Sequence, residues 1–178
     1  MDGAEASKDT LVYVKDGKVI AKTKIEDEKL TYLNGKYYYY YPSDYGDYYY
    51  AYYGVHEIDG KKLFFKNGEL QTSDSDEILT ESTGDYIYAY NNKGEVVATV
   101  KKAAGWIQVA DEWYYFDENL DEPYEIHRIN GVDYYFESGK LIKSKEGISV
   151  TTAWDKDTSY IIAYNDQGII VEKVKISE

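Results

Sequence analysis

Eleven of the 17 residues from Tyr37 to Tyr53 are tyrosine. A strand places successive side chains on opposite faces, so Tyr37 to Tyr41 put aromatic rings on both faces at once. One face can pack inward while the other stays wet. A wet ladder carrying Tyr38, Tyr40 and Tyr49 suits sugar rings, whose CH faces stack on aromatics while their hydroxyls bond the phenols. It suits a protein partner equally, because tyrosine is enriched at interfaces. The third reading is cross-strand packing that stiffens a thin sheet.

Other reactive side chains are scattered rather than gathered. His56 and His127 recur 71 residues apart. Two histidines a repeat apart make no zinc or catalytic cluster unless the repeats fold together, so they read as stacking or hydrogen-bonding partners. The carboxylates Asp74, Asp76 and Glu77, and Asp117, Glu118, Asp121 and Glu122, lack the calcium-loop pattern and read as solvated turns. There is no phosphate loop, nucleophile elbow or His-Glu-x-x-His motif. With no cysteine there is no disulfide, thiolate metal site or thiol catalysis. No catalytic residue, metal or cofactor is expected.

The elements that must position these residues are hairpins. Leu11 to Ile20, Tyr86 to Val97 and Tyr160 to Val171 each read as a β-prone run, an Asn/Asp turn with glycine, and a second β-prone run. A second unit, His56 to Leu70, recurs as His127 to Leu141, with glycines 60 and 68 matching 131 and 139. Leu30 to Tyr40 aligns with Trp106 to Phe116 at an offset of 76. The pattern predicts an all-β chain of tandem β-hairpin repeats, forming an elongated array or two similar small β units. The expected boundaries are a polar tail at 1–10, an opening hairpin at 11–27, one β repeat at 28–103 and a second at 104–178, with consecutive units paired edge to edge. The polar stretches 71–85 and 142–158 read as loops or irregular strands.

Gly105-Trp-Ile-Gln-Val-Ala-Asp-Glu-Trp-Tyr-Tyr-Phe-Asp117 resembles the choline-binding and glucan-binding cell-wall repeats of Gram-positive surface proteins. Ile129 to Leu141 and Ile58 to Leu70 look like further units. The resemblance implies hairpin units, extracellular display and non-catalytic ligand binding. It also implies an aromatic cage for a choline-like cation, with Trp106, Trp113 and Tyr115 at the matching positions. The chain departs from the pattern in three ways: Ala110-Asp111 replaces a turn with glycine, Asn119-Leu120 replaces Asn-Gly, and Leu30 and Tyr37 replace the two tryptophans in the first repeat. These departures argue against a repeated cage.

A net charge of −13 argues against nucleic acid, which needs clustered Lys and Arg. No apolar stretch approaches the roughly 18 residues of a membrane span. The N-terminus is polar and carries no signal-peptide core. The expected partner is a cell-wall polysaccharide, a choline-like or other glycan ligand, or a surface protein, in a secreted or cell-surface setting. The alternative role is a structural stalk or adhesin-like segment.

Overall fold

The computed structural model describes residues 3–26, 29–45 and 48–176. Among the described residues every regular element is a strand. The first sheet holds β1 (Gly3–Ser7), β2 (Thr10–Lys15) and β3 (Lys18–Lys24), in that order. Next come β4 (Thr31–Leu33), β5 (Lys36–Tyr38), β6 (Tyr40–Pro42), β7 (Tyr49–Ala51), β8 (Gly54–Ile58), β9 (Lys61–Lys66) and β10 (Glu69–Leu70). Of these, β6 and β7 form a two-stranded ribbon, and the rest a five-stranded sheet in the order β4-β5-β10-β9-β8. A second three-stranded sheet comes after it: β11 (Leu79–Thr83), β12 (Tyr86–Tyr90) and β13 (Val96–Lys101). Then come β14 (Gly105–Val109), β15 (Glu112–Phe116), β16 (Glu125–Ile129), β17 (Val132–Glu137) and β18 (Lys140–Leu141), ordered β14-β15-β18-β17-β16. The last sheet is β19 (Ile148–Asp155), β20 (Thr158–Asn165) and β21 (Ile170–Lys175).

Turn chemistry sets the register. Asp59-Gly60 and Asn130-Gly131 both take positive φ at both positions, the requirement of a two-residue turn whose twist matches its strands. Ile58 therefore faces Lys61, and Ile129 faces Val132. The two five-stranded sheets share further backbone bonds. Tyr39 N–H donates to Gly68 O at 2.8 Å, and Tyr115 N–H to Gly139 O at 2.9 Å. Phe64 N–H donates to Gly94 O at 2.9 Å, and Tyr135 N–H to Gly168 O at 3.1 Å. The shift in offset along the repeat has a concrete origin: the first repeat inserts the β6–β7 ribbon where the second has a short turn closed by Asp117.

The chain divides into two compact units, residues 1–79 with 89–98, and 80–88 with 99–178. In the first, Leu11 and Ile25 pack on Leu33, Tyr38 and Tyr40, with Ala4, Ala6 and Tyr49 alongside. Tyr39 packs the other way, with Leu63, Phe65 and Leu70. In the second, Ala153 and Ile162 pack on Ile126 and Tyr135, while Phe136 packs with Ile129 and Leu141.

Three readings of the sequence change. Residues 3–7, inside the expected polar tail, form β1, which pairs with β2 along its whole length. Only Ala4 and Ala6 face the core, and two small side chains leave little apolar signal. The junction expected at 27/28 lies outside the described residues. The polar stretches contain regular strands, β11 and the eight-residue β19, each with one residue buried: Thr80 and Ala153. Finally, neighbouring sheets do not run together edge to edge. They meet through side-chain faces, joined by the single bridges Leu63–Glu95 and Tyr134–Ile169.

Burial raises the phenols of Tyr38, Tyr40, Tyr52 and Tyr135, the first and last of them furthest. Tyr38 is pushed up to about 12 by desolvation, helped by the charge of Glu69. Tyr135 is pushed up to about 12 in the same way, with Glu137 adding to it. A folded-state pKa above the unfolded value means the native state holds the proton longer, so stability falls as pH rises from 10 towards 12. Tyr38→Phe is expected to flatten the alkaline limb of a stability-against-pH curve. An unchanged slope would contradict this.

Candidate functional site

The β14–β15 hairpin presents an aromatic face by simple alternation. Trp106 pairs across the ladder with Tyr115, and Gln108 with Trp113. The intervening Tyr114 and Phe116 point the other way and are buried. Tyr114 donates to Thr80 Oγ1 at 2.9 Å, and the Lys102 ammonium lies 5.2 Å over Phe116. These anchors hold the hairpin so that its outer face is fixed. The turn survives without glycine because Ala110 itself takes a left-handed φ of 53°.

Trp106 is the hub. Its ring centroid lies 5.2 Å from Tyr115, 5.4 Å from Tyr134, 5.8 Å from Phe136 and 6.3 Å from Trp113. Trp106 and Trp113 wall a cavity of about 320 Å³, completed by Leu141, Lys143, Asp166 and Gln167. Tyr115 backs Trp106 but does not line the cavity. Asp166 and Gln167 sit on a turn closed by Asn165, whose Oδ1 accepts from Gln167 N–H at 3.0 Å and Ile169 N–H at 2.9 Å. That turn presents a carboxylate and an amide at the rim of two indoles. Aromatic faces with a nearby carboxylate attract an organic cation. Lys143 adds one positive charge for an anionic group on the same ligand.

Of the residues expected from sequence, Trp106, Trp113 and Tyr115 come together. Tyr38 and Tyr40 do not join a ligand surface: both are buried, because the first sheet covers the face on which they lie. Tyr49 is half-buried against the same cluster. The exposed tyrosines are their neighbours. Tyr41, Tyr48 and Tyr50 surround a small cavity of about 160 Å³, and the Tyr48 and Tyr50 hydroxyls are 2.7 Å apart. The reading of sequence missed Tyr134, Leu141, Lys143, Asp166 and Gln167. The match of Asn165-x-x-Gly168 to Asn91-x-x-Gly94 could have flagged the turn.

In the first repeat neither matching position carries a tryptophan. Leu30 stands for Trp106 and packs, partly buried, against the core, and Tyr37 stands for Trp113 and lies tilted against Tyr32 at 5.0 Å. Asn92 and Lys93 stand where Asp166 and Gln167 do, so the carboxylate is replaced by an amide and the amide by a cation.

His56 stacks on Tyr39 at 4.3 Å, and His127 lies 6.0 Å from Tyr115, as structural partners would. Among the described residues no group of three or more His, Asp or Glu side chains is placed to hold a metal. Nor, among the described residues, is any helix long and apolar enough to cross a membrane. A charged cavity of about 570 Å³ includes Arg128, Asp133, Asp155 and Lys173. Four of its charges are already paired: Arg128 grips Asp133 at 2.6 and 2.9 Å, and Lys173 reaches Asp155 at 3.1 Å. The Arg128 guanidinium holds the Asp133 carboxyl below its ordinary range. Such a network offers little to an incoming ion.

Residues 104–119, the β14–β15 hairpin, match the family model of the choline-binding, cell wall binding repeat. No curated protein sequence matches the chain. Among solved structures, alternansucrase in complex with isomaltononaose is 19% identical over 96% of this chain and 12% of its own, with a TM-score of 0.31. Choline binding protein F from Streptococcus pneumoniae is 23% identical over 97% and 48%, with a TM-score of 0.28. The modular autolysin LytC from the same organism is 16% identical over 98% and 48%, with a TM-score of 0.24. The chain thus spans less than half the length of each.

Proposed function

We propose that this chain, which carries a cell wall binding repeat, is a non-catalytic extracellular module. In this reading it holds a cell-wall polymer by seating a choline-like quaternary ammonium group between Trp106 and Trp113. The observation that carries the reading is the cavity itself: two indoles of the matched repeat, with Asp166 at the rim. A quaternary ammonium cannot donate hydrogen bonds, so its recognition rests on aromatic faces and charge. Asp166 and Lys143 together suit a choline ester of a phosphate, ammonium inward and phosphate toward the lysine. The exposed tyrosines of the β6–β7 ribbon add a surface on which sugar rings of the same polymer can stack.

The test is a titration of tryptophan fluorescence with choline chloride, in a Trp154→Phe background so that only Trp106 and Trp113 report. Saturable quenching is expected. A desolvated cation–π contact is worth about 2 kcal/mol, so Trp113→Ala is expected to weaken binding roughly 30-fold. Asp166→Asn leaves the aromatic packing alone and is expected to weaken binding about 2- to 5-fold, an exposed charge contributing about 0.5–1 kcal/mol. No response to choline, together with equal retention on choline-bearing and choline-free cell wall, would refute the cation site.

A further inference from the structure

The three-stranded sheets share one construction, which makes their two faces comparable. Ile25 N–H donates to Asp9 O, Lys102 N–H to Asp85 O, and Ile176 N–H to Ser159 O. Leu11, Ile87 and Ile161 therefore occupy one position, two residues beyond the shared acceptor. The first two are fully buried, whereas Ile161 is 45% exposed. Ile25 is 2% exposed, and Ile176 is 40% exposed.

The difference lies in the cover that each sheet receives. Leu11 and Ile25 are covered by Leu33, Tyr38 and Tyr40 of the next five-stranded sheet and its ribbon. At the second sheet, Tyr114 reaches Thr80, Phe116 underlies Lys102, and Glu122 pairs with Lys102 at 2.7 Å. Both covers present the same signature, Tyr-x-Tyr at 38 and 40 or Tyr-x-Phe at 114 and 116. The last sheet has an inner face of Ala153 and Ile162 packed on Ile126 and Tyr135. On its outer face Ile148, Val150, Trp154, Ile161, Val174 and Ile176 are all exposed. Cross-strand pairing makes this patch continuous: Val150 faces Ala163, Thr152 faces Ile161, and Ile161 faces Val174. A contiguous apolar sheet face of this kind marks an interaction surface.

We infer that the outer face of β19–β21 is a docking surface for the five-stranded sheet of a further repeat, presenting a Tyr-x-Tyr or Tyr-x-Phe strand. The covered faces of the two preceding sheets are the same interface already made. Val150, Ile161 and Ile176 are aliphatic where a cover would press, and Trp154 beside them adds area that the earlier sheets lack.

The test extends the 178-residue chain directly after Glu178 with a second copy of residues 105–147, which reproduces the natural spacing. Acrylamide quenching of Trp154, taken as the difference from each protein's own Trp154→Phe variant, reads the face. Quenching is expected to fall at least about threefold in the extended chain. Protection should disappear when Tyr114→Ser and Phe116→Ser are placed in the appended copy. Equal quenching with and without an appended copy that shows native near-ultraviolet dichroism would overturn the inference. Protection of Trp154 in the unextended chain, rising with concentration as a dimer forms, would also overturn it by making a second copy the occupant. A separate arm needs no added repeat. Ile87→Lys is expected to collapse the urea midpoint, while Ile161→Lys in the 178-residue chain leaves it nearly unchanged. Equal losses would show that the last face is not free.

Discussion

Alanine at Gly168 is expected to lower stability by about 2–5 kcal/mol, seen as a fall in the urea midpoint at unchanged m-value. Gly168 has a φ of +72°, and a Cβ there would stand 2.6 Å from Leu141 Cδ1 and 3.0 Å from Ile142 O. The left-handed backbone costs an alanine about 1–2 kcal/mol. Forcing a methyl into a packed contact adds about 1–3 kcal/mol. Leu141 cannot swing away cheaply, because it is buried with Ile129 and Phe136. The same leucine lines the Trp106–Trp113 cavity, so choline affinity should fall together with stability. Gly94→Ala is the matched control. Its Cβ would stand 2.6 Å from Leu70 Cδ1 and 2.8 Å from Gln71 O, at a φ of +79°. A comparable stability loss is expected there, with choline affinity retained. Gly131→Ala, which has open space around its Cβ at a φ of +84°, is expected to show the backbone cost alone. A Gly168→Ala protein as stable as Gly131→Ala would show that Leu141 is not held as described.

This contrast bears on how much of the molecule can be read from residues alone. Glycine-punctuated hairpins are local objects, and Asp59-Gly60 or Asn130-Gly131 declares its turn without help from the rest of the chain. The aromatic hairpin at 105–116 is legible for the same reason. What is not legible is which face of a strand meets another sheet. Tyr38, Tyr39 and Tyr40 look like an inward and an outward set, yet all three are buried, because both faces of their sheet are covered. The strands hidden in polar stretches have the same cause. Gly3–Ser7 and Ile148–Asp155 are strands by virtue of their partners; the first carries only small apolar side chains, and the apolar alternation of the second, Ile148, Val150 and Trp154, lies on its exposed face. The site's remaining wall obeys this rule. Asp166 and Gln167 lie 60 and 61 residues from Trp106 in sequence, and the bridge of Tyr134 to Ile169, with the bond from Ser144 N–H to Asn165 O, brings their turn alongside.

Phe136→Ala should separate the scaffold of the cage from its surface. Phe136 is fully buried, and removing a buried phenylalanine costs about 3–5 kcal/mol. Its ring lies 5.8 Å from Trp106, at 32° between planes, and 6.3 Å from both Tyr134 and His127. Removing it takes away one of the rings that back Trp106, so the indole gains freedom that binding must then remove. Choline affinity is expected to drop even in urea-free buffer where the protein stays folded. Phe65→Ala removes the equivalent, fully buried ring of the first repeat, against Tyr39 at 5.7 Å and Tyr52 at 6.1 Å. The expected stability loss is again about 3–5 kcal/mol, but with choline binding intact wherever the fold persists. Phe136→Leu keeps most of the volume and should recover most of the stability while leaving affinity reduced, since it restores packing without the aromatic ring. Equal choline affinity in Phe136→Ala and Phe65→Ala would mean that Trp106 is positioned by its strand alone. In that case the stacked rings beneath it serve stability rather than recognition.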